Sequence, residues 1–188
     1  MRVFFQKDLL QQFFFVAGGQ MARAGLTFLA VIMTARLLSL EDFGLFSIFL
    51  AATMVGVEIT GKSLDWGLIR FSSLYLDTFK QRAYQYLNVV FKIRIVSSLV
   101  LLTAGLGLAD FVANHIFHKP EYRLPLVFAC AGTIGMSLWW FTLAVAQIKQ
   151  LFPLHGALNL VHGLVKVGGV SLLFALNIKT LEPMLFVY

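Results

Sequence analysis

Along the chain, apolar residues gather into five long runs separated by short polar stretches. A helix needs about 20 mostly apolar residues to cross a bilayer core. The runs near 13–38, 43–61, 95–117, 125–148 and 153–176 reach about that length. The closing residues 181–188, LEPMLFVY, open a further apolar run. The pattern therefore predicts an all-α, polytopic transmembrane bundle, with five spans and the start of a sixth in a single transmembrane region 1–188. Residues 62–94 read as a polar linker between the second and third spans. The first run contains Gln20 and Arg23 and is too long for a secretory signal, so it reads as a signal anchor. No internal repeat or low-complexity tract interrupts the series.

The tightest polar break is TARLLSLEDFGLFSI, residues 34–48. Arg36 falls in the last turn of the first predicted helix, where a cation meets the negative end of the helix dipole and snorkels to the interface. Ser39 is a candidate N-cap for the second helix, with Glu41 and Asp42 in its positive first turn. Gly44 completes the motif. The corner reads as a tight helical hairpin.

Composition removes the soluble alternative. Apolar residues make up 59% and charged residues 13% of the 188, and the mean hydropathy is +0.83. A soluble domain carries roughly twice that charge. The net charge of +6 is juxtamembrane in origin, with no basic cluster of the kind that grips nucleic acid. Nine of the fifteen Lys and Arg lie on one side of the spans: Arg2, Lys7, Lys62, Arg70, Lys80, Arg82, Lys92, Arg94 and Lys149. Three, Lys119, Arg123 and Lys179, lie on the other. The positive-inside rule then places the N-terminus in the cytoplasm, with 62–94 as a cytoplasmic linker. Its segment LDTFKQRAYQYLNVVFKIR mixes rings with bases. It reads first as a connection obeying that rule, and secondarily as an amphipathic helix on the inner membrane surface or a partner site.

The remaining cations stand inside the spans. Lys166 is near the middle of the fifth, where a charge costs about 2.5–3.5 kcal/mol on insertion scales. His155, Asn159, His162 and Lys166 follow helical spacing and share one face, within about 60° at 100° per residue, and Gly169 continues it. In the first span Gln20, Arg23 and Thr27 share a face beside Gly18 and Gly19. Glu58 and Asp65, seven residues apart, are possible ion-pair partners for Arg23 or Lys166. Two readings stand. The stripes are interhelical hydrogen-bond seams, or they line a water-filled cavity whose cations attract an anionic substrate. Ionisable residues within a membrane favour function by default, and two midplane cations face no midplane acid. The candidate substrate-cavity residues are thus Gln20, Arg23, Thr27, Asn159, His162 and Lys166.

Other chemistry has little foothold. His115 and His118 lack further ligands for a metal, and the lone Cys130 permits no internal disulfide. Trp139, Trp140 and Phe141 read as packing residues. No phosphate loop, nucleophile elbow or paired acids in a large loop marks an enzyme, so no catalytic residue, metal or cofactor is expected.

ARLLSLEDFGLFSI (35–48) resembles the first hairpin of polysaccharide biosynthesis flippases, where an AR-L-L-x-x-E-D/E-F-G-L string joins helices one and two. LDWGLIR (64–70) is similar to the Asp-x-Gly element and basic residue that follow helix two there. QLFPLHGALNLVHGLVKVGGVSLLFAL (150–176) resembles the family's fifth helix. The family belongs to the multidrug/oligosaccharidyl-lipid/polysaccharide exporter superfamily. The resemblance implies the N-terminal lobe of a flippase with twelve to fourteen helices in two lobes. Its substrate would be an undecaprenyl-diphosphate-linked oligosaccharide, moved across the bacterial cytoplasmic membrane by alternating access for lipopolysaccharide or exopolysaccharide synthesis. Five spans are less than one lobe, so the expectation is an N-terminal part or a truncated reading frame that needs further C-terminal helices or a second lobe. The competing expectations are a cation-coupled drug exporter, which would favour acids in the cavity, a non-transporting membrane subunit or scaffold, and a membrane glycosyltransferase or polymerase.

Overall fold

The computed structural model describes the backbone of residues 2–76 and 79–188 and the side chains of 12–75 and 79–188. The side chains of Arg2 and Lys7, counted for topology above, lie outside these residues. Every regular element is helical among the described residues: α1 (Arg2–Leu37), α2 (Leu40–Val57), α3 (Leu64–Leu76), α4 (Lys80–Phe111), α5 (Arg123–Ile148), α6 (Phe152–Ala175) and α7 (Leu181–Val187). Two π-helical turns, Glu58–Lys62 and Val112–Ile116, and a 3₁₀ turn, Pro120–Tyr122, complete the series. Among the described residues five helical stretches are long and apolar enough to cross a membrane: Gln12–Leu37, Leu40–Tyr75, Lys80–Ile116, Pro120–Ile148 and Phe152–Ala175.

The segment 62–94 differs from the linker expected of it. Over 64–76 and 80–94 it is helical: α3 follows the π turn after α2, and Lys80–Arg94 forms the first half of α4. The reason is physical. Lys, Arg, Gln, Tyr and Leu all sustain a helix, and after Gly67 no Gly or Pro interrupts the run before Gly105. The rising polarity of 80–94 therefore falls within α4 and does not interrupt it.

The chain divides into two compact units, Met1–Leu40 with Lys149–Tyr188, and Glu41–Ile148. In the first, α1 packs along α6 through small residues. A Cβ on Gly19 would stand 2.6 Å from Gly156 Cα, and one on Gly156 would stand 2.6 Å from the Phe15 carbonyl oxygen. Backbone therefore meets backbone, the close approach that small residues permit between helices in lipid. α7 folds back in the same unit, burying Met184 and Leu185 and setting Val187 against Gly169.

In the second unit α2, α4 and α5 pack through small and hydroxyl residues. Thr133 abuts Gly56, and Gly132 lies against the Phe49 ring. Thr53 and Thr133 return their hydroxyl protons to carbonyls one turn back, at 2.8 Å each, so buried hydroxyls in these apolar spans are satisfied locally. Leu68 of α3, Leu87 of α4 and Ile148 of α5 form a buried cluster with Ile69, Val90, Phe141 and Val145 around it. An apolar cavity of about 370 Å³ lies among α2, α4 and α5, lined by residues such as Val55, Leu101, Leu108 and Cys130.

Candidate functional site

α6 begins at Phe152 with Pro153 in its first turn, where a missing N–H costs nothing. From there it carries the polar stripe through the first unit. His155, Asn159 and Lys166 are buried, and His162 is half-buried. Asn159 is 1% exposed. Its Nδ2 donates to the His155 carbonyl oxygen at 2.9 Å and stands 3.3 Å from His155 Nδ1. Its Oδ1 is buried and receives no protein donor, so this amide keeps an unused acceptor within the seam. Lys166 Nζ lies 4.7 Å from the centroid of the Tyr188 ring, a cation–π contact that partly offsets its desolvation.

α1 contributes the second cation. A Cβ on Gly163 would come within 3.3 Å of Arg23 Cα, so the missing side chain at 163 brings Arg23 alongside the His162–Lys166 turn. Arg23 is half-buried there. Thr27 is half-buried and Gln20 exposed on the same helix. The six residues assigned to a cavity therefore fall on two helices packed directly together, with three of the α6 polar side chains enclosed.

Glu58 and Asp65 sit elsewhere, in the second unit, and their partners correct the sequence expectation. Glu58 pairs with Lys62 at 2.6 Å, one turn along the chain, and Lys62 also lies 4.8 Å from the Trp140 ring centroid. Asp65 pairs with Arg94, a residue counted above as a loop cation. Arg94 is fully buried. It donates to the carbonyl oxygens of Ser137 and Gly61, and its guanidinium lies 5.6 Å from the Phe141 ring centroid. Gly61 adopts φ 109° inside the π turn, and such a break in a spanning helix releases backbone carbonyls that need internal donors. Arg94 supplies one and the Ser97 hydroxyl another, donating to Thr60 O at 3.2 Å.

A signal for Arg94 was present in the sequence. Extending the helical period through 80–98 puts Ala83, Leu87, Arg94 and Ser98 on one face, and all four are buried. Ending the helix at the first charges concealed it.

Around the first corner, Arg36 is exposed in the last turn of α1 and Ser39 immediately precedes α2. Glu41 and Asp42 occupy the first turn of α2, and Gly44 is exposed. The apolar cavity of the second unit contains none of the six assigned residues. Among the described residues no three His, Cys, Asp or Glu side chains converge as a metal centre would require.

Helical throughout its described residues, with five candidate membrane spans and a polar α1–α6 seam, the chain is a polytopic helical membrane protein. A family model described as polysaccharide biosynthesis protein matches residues 9–184, and the chain belongs to that family. No curated protein and no solved structure gives a match.

Proposed function

We propose that the protein carries out, as part of a two-lobed transporter, the translocation of lipid-diphosphate-linked oligosaccharides across the bacterial cytoplasmic membrane. The observation that carries this reading is the placing of Arg23 and Lys166 on the α1–α6 seam, in a chain of the polysaccharide biosynthesis family. A diphosphate headgroup is a dianion that two cations at low dielectric would hold strongly. Asn159, His162, Gln20 and Thr27 would then bind phosphate or sugar oxygens. The N-terminus lies in the cytoplasm by the distribution of Lys and Arg. Alternating access moves one lobe against another about a midplane site, so the remaining helices or a second lobe complete the machine. The chemistry is binding and movement, with no covalent step and no cofactor.

Tyr188 offers Lys166 an aromatic face, and a cation–π contact worth about 0.5–2 kcal/mol is weak enough for a diphosphate to displace. The test is Arg23→Leu and Lys166→Leu, made separately in the complete transporter. The expected result is loss of surface polysaccharide at unchanged protein level, with lipid-linked precursor accumulating on the cytoplasmic side. Surface polysaccharide surviving both changes would overturn the proposal. Loss of the protein itself would show the two cations to be structural.

A further inference from the structure

Within the second unit, α3 and α4 continue together past the end of α5. The Leu68–Leu87–Ile148 cluster marks the level where α5 stops. Beyond it, α3 runs on to Leu76, and α4 approaches from Lys80. That is about eight residues of paired helix, or roughly 12 Å at 1.5 Å per residue. Rings hold this tip together. Tyr86 stacks on Phe71 at 6.5 Å and on Tyr75 at 6.1 Å, and Tyr75 meets Phe79 at 6.5 Å. Arg82 lies 5.1 Å from the Phe79 ring centroid. The ladder is open to its surroundings, with Phe71, Phe79 and Tyr86 at 53%, 52% and 44% exposure. Arg70, Lys80 and Arg82 are exposed among them.

Length places the tip. The Lys80–Ile116 stretch holds 37 residues, about 55 Å of helix, against a hydrocarbon core of about 30 Å, and α3 runs beside its first half after the break at Gly61. At the far ends, the first turn of α2 carries Glu41 and Asp42, and Asp110 of α4 pairs with Arg123 at 2.9 Å. Those groups fix that boundary, so the excess length falls at the α3–α4 tip. A tip of roughly 12 Å crosses the headgroup layer, about 5–8 Å deep on each side.

Charge identifies the occupant. Asp65 is taken by Arg94 and Glu58 by Lys62, and between Trp66 and Ile93 the sequence sets four bases, Arg70, Lys80, Arg82 and Lys92, against one acid, Asp77. Three exposed bases beside amphipathic rings, emerging where lipid phosphates lie, fit an anionic headgroup layer. A protein partner would have to displace those phosphates first.

We propose that the α3–α4 tip binds anionic phospholipid headgroups through Arg70, Lys80 and Arg82, with the Phe71–Tyr86–Tyr75–Phe79 ladder seated at the edge of the acyl chains. The proposal is independent of what the α1–α6 seam carries. Native mass spectrometry of the full chain in detergent, titrated with phosphatidylglycerol or phosphatidylcholine, tests it. The expected result is preferential retention of phosphatidylglycerol, on the order of tenfold. That preference is lost in Arg70→Gln/Lys80→Gln/Arg82→Gln and kept in the charge-preserving Arg70→Lys/Arg82→Lys. Equal retention of the two lipids by the wild-type chain would overturn it, as would an undiminished preference in the neutralised variant. If neutralisation instead dissociates a dimer and leaves lipid retention intact, the surface belongs to a second copy and the proposal is wrong.

Discussion

Arg94 and Asp65 form an ion pair across α4 and α3, and the same arginine nitrogen donates to the Gly61 carbonyl oxygen at 3.0 Å. The pair therefore fastens the broken α2–α3 rod to α4, and its link to the Ser137 carbonyl extends the fastening to α5. Removing one partner of a buried pair leaves an uncompensated charge, at a cost of about 3–5 kcal/mol. Arg94→Met is thus expected to lower the thermal unfolding midpoint of the detergent-solubilised protein sharply. Asp65→Asn should cost less, because Arg94 keeps two carbonyl acceptors. The loss in Arg94→Met/Asp65→Asn should be smaller than the sum of the two single losses. Equal and additive losses would show that the pair is not a unit.

The kink that Arg94 serves depends on one residue. Gly61 stands at φ 109°, ψ 20°, a region where an L side chain is strained. Gly61→Ala should destabilise by about 1–2 kcal/mol or force the π turn back into regular helix. Amide hydrogen exchange across 58–65 separates these outcomes: strain speeds exchange there and a regularised helix slows it. Unchanged stability with unchanged exchange would contradict the strain assigned to this position.

How far these arrangements were legible differs by residue. The five spanning helices follow from apolar run length, because lipid imposes a nearly fixed length on any helix that crosses it. The Glu41–Asp42 first turn and the His155–Asn159–His162–Lys166 face follow from dipole complementarity and helical period, and both features are local. Arg94 is not. Its burial depends on α4 continuing unbroken to Lys80, on the break at Gly61 and on a carbonyl forty-three residues away, and no single window of sequence contains all three. The pairing of Glu58 with Lys62 is a local i, i+4 relation that helical spacing alone contains. The ring ladder of the α3–α4 tip required knowing that 62–94 is two helices side by side.

Backbone contact between α1 and α6 sets the position of the candidate site. Gly19→Val would drive a side chain into Gly156, and Gly156→Val into the Phe15 carbonyl, each from an ideal Cβ distance of 2.6 Å. Neither obstacle is a flexible side-chain end. Each change should destabilise the packing by about 1–3 kcal/mol or more. A cysteine pair on facing α1 and α6 positions should then crosslink more slowly in the variants than in the parent. Gly18→Val is the control, since a Cβ there meets nothing within 4 Å. Slower crosslinking in the control as well would mean that the effect is not steric.

Lys166 offers the most direct check on the seam. Its amine stands 4.7 Å from the Tyr188 ring centroid and is 8% exposed, so the ring both shields it and stabilises its charge. Tyr188→Leu removes a contact worth about 1 kcal/mol and should raise the acylation of Lys166 by an amine-reactive ester several-fold. Tyr188→Phe keeps the π face and should leave labelling near the parent value, which separates the ring from the hydroxyl. Addition of a diphosphate-bearing polyprenyl lipid should protect Lys166 in the parent and in the leucine variant alike, because the anion would replace the ring as the partner of the amine. Protection that requires Tyr188 would instead make the ring part of the binding surface.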